Sequence, residues 1–260
     1  NKKPQEFVDE ISKNFREIAK VLNISYDDFI RTTEKRHIKV VEKIFNKIYE
    51  KGDIYKGKYK GLYCVECETY YLPKDLENNK CPVHKKSLEK IEEETYFFKL
   101  SKYQKALIEH IKNNKNFIIP QSRRNEILNR LKEPLQDLSI SRKNVKWGIP
   151  LPIDKDFTLF VWIDALINYL STIDYPNEKF KKFWPADIHV IGKDIVWHHT
   201  VIWGSILLAA GLGLPKSVFV HGFITVDGQK ISKSFGNVID PIELVKKYGT
   251  DSVRYYLLHE

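Results

Sequence analysis

Every cysteine in the chain falls in one short constellation: Cys64-x2-Cys67, thirteen residues, then Cys81-x2-His84. Zn²⁺ takes four sulfur or nitrogen ligands in a tetrahedron, and a two-residue gap lets both members of a pair reach one ion. With all four positions supplied by side chains, such a site is structural and not catalytic. A redox Cys-x-x-Cys would account for the first pair but leaves the second unexplained. The plainer alternative is a set of unliganded thiols.

Two further groups carry chemistry. Val220-His221-Gly222-Phe223 runs into Lys230-Ile231-Ser232-Lys233-Ser234 and then Gly236-Asn237. A strand end that becomes a Gly-, Lys- and Ser-rich loop can close two ammonium groups over a triphosphate and stabilise charge on a leaving pyrophosphate. A lone Lys-x-Ser-Lys-Ser is usually a solvated loop, and the flanking His-Gly and Gly-Asn pairs make this one more specific. The other group is Gly192-Lys193-Asp194-Ile195 with His198, His199 and Trp203. It falls where a strand ends and a helix begins, the place where parallel α/β sheets bind ligands. Asp194 is suited to a ribose hydroxyl. His199 and Trp203, four apart, share one helix face. Adjacent helix positions diverge, which disfavours a metal site from His198 and His199. On spacing alone His199 reads as a satisfied core histidine.

These residues need a scaffold, and the pattern supplies one. Residues 4–51 read as two helices: Phe7, Ile11, Phe15, Ile18 and Leu22 recur at helical spacing, then Ile38, Val41, Ile44 and Ile48, with Gly52 as the stop. Short Tyr-rich runs (Ile54-Tyr55, Tyr59, Leu62-Tyr63) predict strands, and residues 95–98 predict another. Residues 101–113 are expected as a helix capped by Ser101, and 122–133 as one ended by Pro134. Beyond 146 the pattern alternates: strand 159–162, helix 164–170, strand 187–191, long helix 194–210, strand 217–221. That alternation argues for a parallel α/β sheet, and the continuous apolar strands for one buried on both faces. Residues 241–248 and 251–259 predict closing helices.

Composition narrows the class. The chain has 260 residues, 42% hydrophobic and 30% charged, enough for a substantial core and unlike a disordered chain. Forty-three Lys and Arg against 34 Asp and Glu give +9, which favours a polyanionic partner such as nucleic acid; abundant lysine from genome composition is the alternative. The longest apolar run, 201–214, is too short to span a bilayer, so no membrane association is expected. Three cysteines suit a reducing, cytoplasmic compartment. No methionine occurs anywhere, which predicts a trimmed or processed start.

Together these motifs resemble class I aminoacyl-tRNA synthetases, specifically methionyl-tRNA synthetases of the bacterial type. The resemblance runs over nearly the whole chain. It is carried by Tyr26-Asp27-Asp28-Phe29-Ile30-Arg31-Thr32-Thr33, Leu62-Tyr63-Cys64, Asp137-Leu138-Ser139-Ile140-Ser141-Arg142 and Trp147-Gly148-Ile149-Pro150. It continues through Val161-Trp162-Ile163-Asp164-Ala165-Leu166, Ile191-Gly192-Lys193-Asp194 and Asp251-Ser252-Val253-Arg254-Tyr255-Tyr256.

The resemblance implies a partial Rossmann-like nucleotide-binding sheet with an inserted zinc-knuckle connective peptide. On that basis 1–52 is a helical part of the catalytic domain and 53–145 the connective peptide, with the knuckle at 61–90. Residues 146–221 are then the second half of the catalytic domain, and 222–260 the signature loop and the start of a stem-contact region. It implies a methionine pocket walled by Trp162, Ala165, Tyr169, Ile195 and His199, which overrides the core reading of His199. Apolar and aromatic walls suit a polarizable thioether. Gly192, Asp194 and His221 are implied at ATP, Lys230 and Lys233 at its phosphates, and Arg142 near the pyrophosphate end. The implied activity is ATP-dependent formation of methionyl-adenylate and transfer to tRNA, with Mg²⁺ accompanying ATP and Zn²⁺ holding the knuckle. The insert is too short for an editing domain.

The departures are specific. The family's first signature, His-x-Gly-His, is absent, as is the strand that contacts the amino group of methionine. The resemblance therefore implies a core beginning after the first βαβ unit and stopping before the anticodon-binding domain, with weak or no activity alone unless a separate chain supplies the missing half. Ile231 stands where the family has Met, a nearly volume-conserving change. The competing function is a non-catalytic, synthetase-derived zinc-knuckle module that binds tRNA. A small-molecule nucleotidyltransferase on the same fold is a third reading, opposed by the zinc insert and the basic charge.

Overall fold

The computed structural model describes residues 2–64, 69–71, 76, 78–83, 85–143, 145–226, 229–231 and 239–259. Two amphipathic helices open it, α1 (Pro4–Val21) and α2 (Lys35–Glu50). Pro4 opens α1, where its missing N–H costs nothing. In α2 the residues at helical spacing, Val40, Val41, Ile44, Phe45 and Ile48, enter the core. Gly52 takes a positive φ after α2, as a left-handed stop requires. The apolar stripe of α1 behaves differently: Phe7, Ile11 and Phe15 are exposed and only Ala19 is buried in that helix.

The next segment is antiparallel. Strands β1 (Ile54–Cys64), β2 (Thr69–Tyr71) and β3 (Glu89–Phe98) pair so that Ile54 faces Phe98 and Tyr63 faces Glu89. After β3 the expected helix start at Ser101 is instead a 3₁₀ turn, Leu100–Tyr103, followed by α3 (Gln104–Asn113). The Ser101 hydroxyl is not a cap; it donates to Asp137 Oδ1 at 2.6 Å, while Leu100 and Tyr103 bury into the core. Strand β4 (Ile118–Ile119) precedes α4 (Gln121–Arg130), which ends before Pro134 is reached. Strand β5 (Leu138–Ser139) extends the antiparallel sheet to the order β2-β1-β3-β5, and β6 (Ser141–Arg142) pairs with β7 (Thr158–Leu159).

The run 159–162, expected as one strand, divides: β7 ends at Leu159 and Val161 begins α5 (Val161–Leu166). Phe160 is the extended residue between them, and its amide is claimed by Ile140 O. Helices α6 (Asn168–Ser171) and α7 (Glu178–Phe183) follow, then β8 (His189–Gly192). The long helix expected over 194–210 is also divided, into a 3₁₀ turn at Lys193–Ile195, a π-turn at His198–Ile202 and α8 (Trp203–Ala209).

Strand β9 (Val218–His221) completes a parallel sheet of order β4-β9-β8, with Gly192 level with His221. The parallel α/β expectation is met, with a correction. The sheet is covered on one face, not both: His189, Ile191, Val218 and Val220 are buried, whereas Val190 and Phe219 on the other face are 63% and 41% exposed. The chain closes with a short hairpin, β10 (Thr225–Val226) and β11 (Gln229–Lys230), and helices α9 (Pro241–Tyr248) and α10 (Thr250–His259). Among the described residues no helix is long and apolar enough to cross a membrane.

Candidate adenylate site

The parallel strands end where ligand chemistry was expected. Gly192 closes β8 beside His221, which closes β9. A Cβ placed on Gly192 would lie 2.8 Å from Asp194 Oδ1 and 3.7 Å from the His221 ring. Gly192, Asp194 and His221 therefore converge on one small space that a side chain at 192 would fill. Asp194 and His221 are exposed there. The Lys193 ammonium lies 4.4 Å from the Phe223 ring centroid, across the start of the loop.

Helices α5 and α6 and the π-turn bring an aromatic cluster together. His199 lies 2.8 Å from the Tyr169 hydroxyl through Nε2 and 3.3 Å from Ile195 O through Nδ1. A carbonyl can only accept, so Nδ1 carries the proton and Nε2 accepts from Tyr169. Burial holds the His199 imidazole below its ordinary value, in keeping with a neutral ring. Trp162 stacks on His198 at 4.2 Å between centroids. The π-turn makes this possible, since its extra residue per turn lets two consecutive histidines each meet an aromatic wall, one on α5 and one on α6. Ala165 on α5 and Ile195 on the preceding 3₁₀ turn are half-buried. Of the five residues expected at a methionine pocket, Tyr169, His199 and Ile195 are linked by these hydrogen bonds, and Trp162 stacks on the neighbouring His198.

Tyr169 also stacks on His189 at 4.0 Å. His189 is 4% exposed, neither ring nitrogen has a hydrogen-bond partner among the described residues, and burial lowers it to about 4. Spacing alone assigns His189 no role. Asp164, two residues after Trp162 on α5, is likewise assigned none. It is 7% exposed, its Oδ1 has no partner among the described residues, and burial raises it to about 7.

Arg142 sits on a second wall. It lines a cavity of about 550 Å³ together with Thr32, Tyr63, Trp147, Phe160 and Asp164. Its guanidinium carbon is 4.3 Å from the Phe160 ring centroid. Lys230 contributes its backbone to β11, opposite Thr225. Lys233 lies outside the described residues, as do Cys67 and His84. The two remaining cysteines, Cys64 at the end of β1 and Cys81, are 1% and 0% exposed. Cys81 opens a tight turn in which its amide donates to Lys86 O at 2.9 Å and its carbonyl accepts from the Lys85 amide at 2.8 Å. Among the described residues no group of three or more His, Cys, Asp or Glu is placed to hold a metal.

A parallel sheet with an aromatic cluster and a Gly-Lys-Asp turn at its carboxyl edge is the arrangement of a class I aminoacyl-tRNA synthetase. The family model described as tRNA synthetases class I (M) matches residues 1–74 and 66–260, and the chain belongs to that family. The methionine–tRNA ligase of Clostridium perfringens is 52% identical over 99% of the chain, and that of Thermotoga maritima 49% identical over 100%. The chain spans 40% and 42% of their lengths. Among solved structures, Mycobacterium tuberculosis methionyl-tRNA synthetase bound by methionyl-adenylate matches 94% of the chain and 49% of that protein, with a TM-score of 0.88 at 40% identity. Its apo form matches with a TM-score of 0.86 at 37% identity.

Proposed function

We propose that this chain forms the methionyl-adenylate site of a methionine–tRNA ligase. In this reading the methionine carboxylate attacks the α-phosphate of ATP and pyrophosphate leaves; the terminal ribose hydroxyl of tRNA then attacks the carbonyl carbon of the adenylate, the anhydride bond breaks and AMP leaves. No protein nucleophile is needed; the work is positioning and the stabilisation of phosphate charge. Trp162, Ala165, Tyr169, Ile195 and His199 wall the thioether. The space over Gly192, with Asp194 and His221, takes the nucleotide, and Mg²⁺ arrives with ATP. Arg142, Lys230 and Lys233 meet the phosphates. The observation that supports the reading is the Tyr169–His199 hydrogen bond, which holds a neutral ring in a fixed orientation suited to an apolar substrate.

The same reading assigns Zn²⁺ to Cys64, Cys67, Cys81 and His84. The burial of both described thiols fits a ligand set whose chemistry, three sulfurs and one imidazole, suits that ion. The ion would supply cross-linking only. Native mass spectrometry should show one zinc per chain, lost in Cys64→Ser.

The decisive test is titration with a non-hydrolysable methionyl-adenylate analogue, alongside methionine-dependent ATP–pyrophosphate exchange. The expected result is binding that His199→Ala weakens about tenfold, consistent with one buried hydrogen bond, and that the leucyl analogue does not match. Equal binding of the leucyl analogue, or none of either, would overturn the reading. Exchange by the chain alone would show that its residues suffice for turnover.

A further inference from the structure

Three buried hydroxyls from three strands meet behind Arg142. Thr95 on β3 and Ser141 on β6 are both 0% exposed, and Ser139 on β5 is 7% exposed. Buried hydroxyls are costly unless satisfied, so the destination of each proton matters. Arg142 Nη1 can only donate. It reaches Ser139 Oγ at 3.1 Å and Ser141 O at 2.8 Å. Ser139, having accepted, must place its own proton, and Thr95 Oγ1 lies 2.8 Å away. Thr95 in turn places its proton on Ser141 O at 3.0 Å. The path closes on itself: arginine to Ser139, Ser139 to Thr95, Thr95 to the Ser141 carbonyl, which also receives the arginine. The Ser141 hydroxyl accepts from the Tyr96 amide at 2.9 Å and donates to Thr95 at 3.1 Å. The ring leaves each hydroxyl both donating and accepting, or spent.

Among the described residues, two constraints hold the guanidinium. Both hydrogens of Nη1 are directed into the ring, and the Phe160 face lies against the planar group at 4.3 Å. Neither constraint depends on a ligand. Groups held in place before charge develops need no reorganisation when it does.

We propose that Thr95 and Ser139 are positioning residues for Arg142, holding its guanidinium toward the cavity for the phosphate end of the nucleotide. This rests on the reading of Arg142 as a phosphate-side cation. Thr95 touches no ligand in this scheme; it acts through Ser139 and Arg142.

The test is ¹⁵N NMR of the Arg142 side chain in the full 260-residue chain, with its signal assigned by its loss in Arg142→Lys. A held guanidinium gives separate, slowly exchanging Nη signals. Thr95→Val and Ser139→Ala should each average them, with rotation at least tenfold faster, and Thr95→Ser should restore the separated pattern. Backbone amide spectra monitor folding. If Thr95→Val fails to fold, Ser139→Ala and Thr95→Ser still decide. Separate signals in both Thr95→Val and Ser139→Ala, or averaged signals in the parent chain, would overturn the proposal. Magnesium pyrophosphate is then added as the probe. A shift of the Arg142 Nε signal is expected, smaller in Ser139→Ala. A hydroxyl-dependent guanidinium that ignores pyrophosphate would overturn the phosphate-side reading of Arg142 and, with it, the purpose assigned to the ring.

Discussion

Asp164 and the histidines around it are the residues whose protonation matters most, and they pull in opposite directions. Asp164 is a carboxyl whose Oδ1 has no partner among the described residues, raised by burial from 3.8 to about 7. A group whose folded value is raised contributes stability that is complete below its unfolded value and lost as pH rises through the folded one. The folded chain therefore loses stability at this site between about pH 4 and pH 7. Asp164→Asn never charges, so its stability relative to the parent should improve with pH, by about 2–3 kcal/mol more at pH 8 than at pH 5. Urea titrations at the two pH values measure this, and an equal difference at both would mean that the carboxyl titrates normally. His37, His189 and His198 are each lowered to about 4 by burial. Their contribution has the reverse sign. It is present above pH 6.5 and is lost as pH falls toward 4. His189 and His198, the rings stacked on Tyr169 and Trp162, must therefore stay neutral in the fold.

The elements show which signals a sequence carries. Helix α2 was legible because its apolar residues recur at helical spacing and all enter one core. Strands β8 and β9 were legible from their β-branched runs. What was misread is where tertiary partners overrode local preference. Val161 and Trp162 have strand propensity, yet they start α5 because the chain must turn there to bring Trp162 over His198. The π-turn is invisible to periodicity because residues 195–210 are largely apolar throughout, so the phase shift made by one extra residue leaves no trace in the pattern. The exposed face of β8 and β9 has the same composition as the buried one, so no pattern distinguished them. Thr95 and Ser139 look like ordinary strand residues; only the fold aligns them behind Arg142. The loop at Gly148 is a more readable case. Its φ is +153°, and a Cβ there would fall 2.5 Å from Thr158 Cγ2. Thr158 cannot easily yield, because it is β-branched and its hydroxyl donates to Val145 O at 2.8 Å. Gly148→Ala should destabilise the chain by about 1–3 kcal/mol and shift the cavity wall at Trp147. Thermal unfolding and Trp147 fluorescence check this, and a variant indistinguishable from the parent in both would show that the loop relaxes freely.

At the scale of the whole molecule, the two ends of the sequence are folded onto each other. Helix α1 ends in carbonyls that no further turn satisfies. Arg254 of α10 donates to Leu22 O at 2.6 Å and Asn23 O at 3.2 Å, and Thr250 donates to Val21 O at 3.1 Å. A guanidinium at a helix C-terminus is favoured twice, by hydrogen bonds and by the negative end of the helix dipole. This cap is the polar link between α1, otherwise exposed along Phe7, Ile11 and Phe15, and the closing helices. Removing it should loosen both ends together and leave the center alone, because the core around Leu107, Ile111 and Trp203 shares no residue with the junction. In Arg254→Ala, hydrogen exchange should therefore speed up in both 4–21 and 241–259 by an amount equivalent to about 1.5–3 kcal/mol, the range for a hydrogen bond to a charged group. Protection in α3 and α8 should not change. Acceleration confined to α10 would mean that α1 is held by other contacts and that the two ends are not one cooperative unit.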